Sequence, residues 1–214
     1  MRRTVLIVVF VLGFVSFLDS LAVAQNKVVV IPLLGDETPA PVEKTGQTKC
    51  YEYGSGTEIG CSGTGEDGEY QKGVTWPTPR FTDNENGTVT DNLTGLIWLK
   101  NADCYGSTDW GAALGSIAYL RAGYCGLTDG SSAGDWRLPN LKELLSLNDY
   151  GRIPALPFPH PFEHIWSDVY WSSTTHAVAP SHAWGVIIYY GNVYHYDKEF
   201  PSNDCRVWPV RGGN

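Results

Sequence analysis

Basic residues are scarce in this sequence. Fifteen Lys and Arg stand against 23 Asp and Glu across 214 residues, a formal net charge of −8. An acidic surface repels polyanions, which argues against DNA or RNA as a partner. Metal and catalytic signatures are missing too. No CxxC pair or Cys/His ligand spacing appears, so zinc is not indicated. HExxH and the Gly-x-x-x-x-Gly-Lys-Ser/Thr phosphate loop are absent, and the carboxylates show no spacing that specifies acid–base work. No internal repeat or low-complexity tract occurs. The longest apolar stretch falls short of the roughly 20 residues a membrane-spanning helix needs.

That stretch, Val5–Leu18, follows Arg2 and Arg3 and precedes Ala22-Val23-Ala24. Basic start, apolar middle and small-x-small end together read as a secretory signal peptide over residues 1–24. Its removal takes two basic residues and Asp19, leaving 13 against 22 and a formal −9. The mature chain is expected to be secreted, periplasmic or on the cell surface, with no membrane span after cleavage. In an exported chain, cysteines are read as disulfides first. Cys50 and Cys61 lie close together in a Gly-rich stretch, and Cys104 and Cys125 bracket a helical segment. These are the expected pairs, and Cys205 is the odd one left over.

Residues 25–45 hold the apolar segment KVVVIPLL, readable as an edge strand or an oligomerisation element, and a linker. Residues 46–79 form a Gly-rich preface with little to bury, expected to be held by Cys50–Cys61. The main domain spans 80–214. Phe81 opens a strand, Asn84–Gly87 is a turn, and Thr88–Thr90 resumes β character. Asp91–Gly95 is a second turn before the strand Leu96–Leu99. In residues 108–121 the apolar positions fall at helical spacing, with Thr108 as N-cap and Gly123 as stop. Asn140 caps a second helix, with Glu143 in the capping-box position and Leu141, Leu144 and Leu145 as its stripe. From Tyr170 the chain alternates as strands. Gly191-Asn192 is read as a two-residue hairpin turn, and 205–211 as a last strand with Pro209 at an edge or bulge. The order is α+β, two helices packed on a mostly antiparallel twisted sheet.

The stretch TDNENGTVTD crowds acids, Asn and Gly as a calcium loop does. Setting Gly87 at the sixth EF-hand position puts Thr82 first and Leu93 twelfth, both wrong residue types. The better reading is a hairpin whose Asn and Asp bond their own backbone. Asp83 and Asp91 remain as carboxylates for a cation held in some other geometry. Leu138-Pro139-Asn140 lacks the carboxylate, and Ser202-Asn203-Asp204 the Trp, of calcium-dependent sugar sites. Asn86-Gly87-Thr88 and Asn92-Leu93-Thr94 match the glycosylation sequon. His160 and His164 are separated by Pro161, which denies them one helix face. No cofactor is therefore expected, and a divalent cation has no motif behind it. The aromatics Trp184, Tyr189, Tyr190, Tyr194 and Tyr196 crowd one hairpin. Strand alternation sends some of these rings away from the core, which makes them the candidate ligand surface.

RFTDNENGTVTDNLTGLIWLK, TDWGAAL, GDWRLPNLKELLSL and VWPVRGG occur in that order. Together they resemble the Lcl C-terminal domain family, over about residues 81–213. KTGQTKCY…CSGTGEDGEYQKGV resembles the preface many members carry. The resemblance implies an exported bacterial protein with a C-type-lectin-like fold, in which the first and last strands of the domain pair. Its best-known member is a collagen-like adhesin that binds sulfated glycosaminoglycans as a trimer. The present chain has no Gly-X-Y repeats, and its charge is acidic. Within the motifs, Asp135, Trp136, Arg137, Pro139, Glu143 and Arg211 are expected to be structural, with Arg137 and Arg211 in buried or semi-buried ion pairs. The leading expectation is a non-catalytic adhesion module recognising glycan or protein at the cell surface. The alternatives are an assembly module, a homo-oligomer or trimer by family resemblance, and an oxidase of the formylglycine-generating type using Cys205.

Overall fold

The computed structural model describes residues 42–199 and 205–212. The leader, KVVVIPLL and Ser202-Asn203-Asp204 lie outside them. The preface carries β1 (Cys50–Tyr51), antiparallel to β2 (Glu58–Ile59), and the short helix α1 (Asp67–Tyr70). Cys50 and Cys61 are bridged, as expected from their spacing. Gly68 lets α1 close onto β1, since a Cβ there would sit 2.2 Å from the Lys49 carbonyl oxygen.

The first large sheet begins with β3 (Phe81–Asp83), β4 (Thr88–Asp91) and β5 (Ile97–Leu99). The polar turn residues do shape the backbone. Asp83 accepts from the Glu85 N–H at 2.9 Å, and Asn86 accepts from the Thr88 N–H at 3.2 Å. Glu85 and Gly87 both take positive φ, 57° and 83°, which Gly tolerates without steric cost. Asp91 turns the next corner by accepting from the Leu93 N–H.

Helix α2 (Trp110–Ile117) is shorter than its apolar pattern. Its N-cap is Asp109 rather than Thr108, because the Asp109 carboxylate takes the Ala112 N–H at 2.8 Å. It stops well before Gly123, as Tyr119 and Leu120 switch to tighter i→i−3 bonds. Helix α3 (Leu141–Leu145) has the expected capping box between Asn140 and Glu143. Beyond it lie β6 (Val169–Thr175), β7 (His182–Ile187), β8 (Asn192–Asp197), β9 (Cys205–Arg206) and β10 (Val210–Arg211).

Two four-stranded sheets result, with orders β10-β5-β4-β3 and β8-β7-β6-β9. All pairings in them are antiparallel except β6–β9. The fold is α+β with two disulfides, the second joining Cys104 and Cys125. Three expectations need correction. The single last strand is two, because the chain leaves one sheet at Arg206 and enters the other at Val210. Proline has no N–H to extend a ladder, and Pro209 sits in that crossing. The last strand pairs with β5, while β3 lies at the opposite edge. The β7–β8 hairpin closes at Ile187↔Asn192, so its loop is the four residues Ile188–Gly191.

The core fills the space between the sheets and helices. Trp208 lies 5.2 Å from Trp98, 4.9 Å from Phe162 and 5.4 Å from Tyr170, ring centre to ring centre. Such pairs add about 0.5–1.5 kcal/mol each beyond their buried area. The motif residues hold the ends of this core together. Arg137 pairs through its backbone with Val210, and its guanidinium forks onto Glu143 at 2.7 and 2.6 Å. Arg211 reaches Asp129 at 3.0 Å and lies over the Trp136 ring. Asp135 takes the Ser132 N–H, and the Pro139 carbonyl takes the Ser173 N–H. Among the described residues, no helix is long and apolar enough to cross a membrane.

Candidate functional site

The five hairpin aromatics do not share one surface. Trp184 stands opposite His195 and Tyr194 opposite Gly185, so alternation puts these two rings on opposite faces. Trp184 is packed among histidines, 4.7 Å from His176 and 5.5 Å from His195. Tyr196 turns inward against Trp171, and burial raises its hydroxyl pKa. Tyr189 and Tyr190 belong to the loop and lie edge to face at 4.7 Å.

Tyr189 instead joins a surface that the periodicity did not signal. Residues 149–166 run between α3 and β6 without helix or strand. A long irregular segment in a compact domain is commonly a binding loop. Against the hairpin it forms a recess of about 360 Å³ lined by Leu156, His160, Phe162, Trp166, Ile188 and Tyr189. Large apolar side chains stand exposed around it: Phe158 (71%), Tyr190 (52%) and Trp166 (47%). The run GRIPALPFPHPF carried the signal, since its prolines forbid a helix and alternate with apolar residues that no strand then uses.

The loop is held firmly. Ala155 donates to the Tyr189 carbonyl at 2.9 Å. Gly191, at φ 74°, admits Tyr150, whose ring would meet a Cβ there at 2.9 Å. Trp166 is fixed from three sides. Its backbone N–H donates to the Tyr170 hydroxyl at 3.0 Å, its indole N–H donates to Asp103 at 2.8 Å, and Arg206 stacks on its ring at 4.4 Å. Arg206 is itself clamped by Asp103 and Asp168. Burial pushes the Tyr170 hydroxyl up to about 12, so it stays a neutral partner for that N–H. Burial, then Arg152, lowers the His160 pKa, which keeps the recess uncharged near neutrality. A ring held this way loses little entropy on binding.

The cation candidates are otherwise engaged. Asp83 forms an ion pair with Lys100 at 2.9 Å, and Lys100, then the Glu85 N–H, hold its carboxyl below the usual range. Asp91 is fully buried against Arg80. His164 leans on Asn101 at 3.2 Å, away from any pairing with His160. Among the described residues, no group of three or more His, Cys, Asp or Glu side chains is arranged to hold a metal ion. Cys205 is buried in β9 and takes part in neither disulfide.

A second, larger recess of about 580 Å³ lies where the preface meets the domain. Val42, Glu43 and Val74 form one wall, and Leu93, Lys142 and Leu145 another. The Glu43 backbone is bridged to Val74, and Gly73 is required beside it, since a Cβ would sit 2.7 Å from Glu43 backbone atoms. Burial raises the Glu43 carboxyl to about 7, with Arg80 opposing and Asp91 assisting. An acid with a raised folded-state pKa binds its proton more tightly when folded. Stability from this group is therefore full below about pH 4.5 and is lost as pH rises to about 7. Glu43→Gln is expected to flatten that part of the melting-temperature profile, while the wild type declines from about pH 4.5 to about pH 7. Identical profiles would contradict this.

These features define a class: an α+β, disulfide-bridged module with a rigid aromatic recess on a long loop. Residues 87–211 match the model of the Lcl C-terminal domain family, more than half of the chain, and the protein belongs to that family. No curated protein matches it.

Proposed function

We propose that this protein is an exported, non-catalytic binding module with a C-type-lectin-like fold, recognising glycan or protein at the cell surface. The observation that carries the reading is the aromatic recess on residues 149–166, with Phe158, Trp166 and Tyr190 exposed around it. Solvent-facing rings beside polar tips suit stacking on sugar faces or on apolar side chains. The leader pattern and the two disulfides support a place outside the cytoplasm.

The test is a glycan array and a cell-surface binding assay with the secreted protein, with and without EDTA. Binding is expected to survive EDTA. Phe158→Ala and Tyr190→Ala are each expected to weaken it about ten-fold, as truncating an interface anchor does. Both residues are exposed, so circular dichroism and melting temperature should stay unchanged. Silence on every surface tested, together with turnover of some substrate, would sink the reading.

A further inference from the structure

The loop between β6 and β7, residues 176–181, is closed by a bond that only a neutral histidine can make. The Ala179 N–H donates to Nδ1 of the His176 ring at 2.9 Å. A backbone N–H can only donate, so this Nδ1 is the unprotonated nitrogen and the ring proton sits on Nε2. A second proton on the ring goes to Nδ1 and turns the acceptor into a donor. The bond and the imidazolium exclude each other. The base of the loop is held separately, by the His176 N–H on the His182 carbonyl and the His182 N–H on the Ala179 carbonyl, both at 2.9 Å. The tip is thinly held, and Val178 is 90% exposed.

A charge on His176 would be met by like charges. His182 and Trp184 alternate onto one face of β7, and His195 stands opposite Trp184 on β8. The ring centres of His176 and His195 lie 4.5 Å apart, and those of His182 and His195 5.2 Å. Beyond β8, the Lys198 ammonium donates to the Thr175 hydroxyl and to the Pro180 carbonyl, on either side of His176 in the chain. The carboxylates of the neighbouring elements are engaged elsewhere. Asp197, opposite His182, accepts the Glu199 N–H. Asp109, at the start of α2, accepts the Ala112 N–H. On α3, Glu143 is held by Arg137, and Lys142 is a further cation. Among the described residues, no carboxylate forms an ion pair with any of the three histidines. The Trp184 ring, 4.7 Å from His176, can carry a cation on its face, but that contact does not restore the Ala179 bond.

We propose that His176 is a pH-sensitive latch: neutral, it holds the tip of the β6–β7 loop closed, and protonated, it releases residues 177–179. The closed loop carries one proton fewer at this ring than the open loop. Closure is therefore favoured at high pH and lost as pH falls through the range in which imidazoles charge, about pH 8 to 5. The surface beside Trp184 is then set by pH, independently of the aromatic recess on residues 149–166.

The test is solvent-exchange NMR on the full chain, with the Ala179 amide followed from about pH 8 to about pH 5. Its protection, corrected for the intrinsic pH dependence of exchange, is expected to fall about ten-fold or more, as on local opening. The amide of Val186, in the middle of the β6–β7–β8 ladder, should keep its protection throughout. His176→Asn sets an acceptor oxygen where Nδ1 stood and cannot titrate, so the Ala179 amide should stay protected at both ends of the range. His176→Ala should leave it unprotected at both ends. An Ala179 amide that is indifferent to pH in the wild type, a pH response retained by His176→Asn, or loss of Val186 protection together with that of Ala179 overturns the proposal.

Discussion

Replacing Arg80 with Met is expected to cost 3–5 kcal/mol of folding stability, about what removing one partner of a buried ion pair costs. The mechanism is specific. Asp91 has no exposed side-chain surface, and Arg80 is its only cationic partner among the described residues. Without the guanidinium, a buried carboxylate keeps the Leu93 N–H and the Thr94 hydroxyl but loses its neutralising charge. Arg80 also donates to the Ser146 carbonyl at the end of α3 and lies 5.1 Å from the ring centres of both Trp76 and Phe81. One side chain thus ties the preface, the first sheet and α3. For a chain of this size the loss should lower the melting temperature by roughly 6–20 °C. Urea unfolding is the check, with an unchanged m-value expected. The double variant Arg80→Met/Asp91→Leu should recover much of the loss, because a buried pair replaced by apolar groups is often close to neutral. Arg80→Lys should recover little, since an ammonium cannot fork onto both Asp91 oxygens and reach Ser146 as well. A loss below about 1 kcal/mol for Arg80→Met would remove the ion pair from any structural role.

The contrast with Arg137 shows what the sequence made legible. Arg137 and its partner Glu143 were readable because both lie within one short motif, next to a capping box. The structure pairs them, yet the Arg137 side chain is 42% exposed. A half-exposed pair is worth about 1 kcal/mol or less. The deeply buried pair, Arg80–Asp91, spans a hairpin and reaches α3 through Ser146, 66 residues from Arg80. No local pattern announces such a contact. The same division holds elsewhere. The Asn140 cap, the polar turns after β3 and β4, and both disulfides depend on near neighbours, and their residues declared them. The split of the last strand between two sheets depends on packing around Trp208, which only the assembled core decides. The aromatic surface was half legible. A crowd of rings in residues 184–196 was visible, but the two-residue turn reading placed Tyr189 and Tyr190 in strands. With Tyr189 in the loop, its partners come from residues 149–166, a Pro-rich run whose lack of periodicity offered nothing to align.

Removing the Cys104–Cys125 bridge is expected to cost about 3 kcal/mol, from the entropy an open loop of this length regains when unfolded. The bridge closes a separation of 21 residues, against 11 for Cys50–Cys61, so it should be the more stabilising of the two. The difference is small on entropy alone, because closure cost grows only with the logarithm of loop length. Placement widens it. The closed loop contains α2, eight residues long, too short to persist unless packed. Ala113 and Ile117 bury its inner face, and the Trp110 indole N–H donates to the Ser172 carbonyl at 2.8 Å. Cys104 and Cys125 themselves pack against the core at the two ends of that loop. A Cys104→Ser/Cys125→Ser variant should therefore lose amide protection first at α2, with global stability lower by about two powers of ten in the folding constant. Cys50→Ser/Cys61→Ser should loosen residues 50–61 and leave protection at α2 and β6 near the wild-type level. Hydrogen exchange read residue by residue distinguishes the two. Equal loss of protection at α2 in both variants would mean that the preface and the family domain unfold as one unit, and that α2 is held by packing alone.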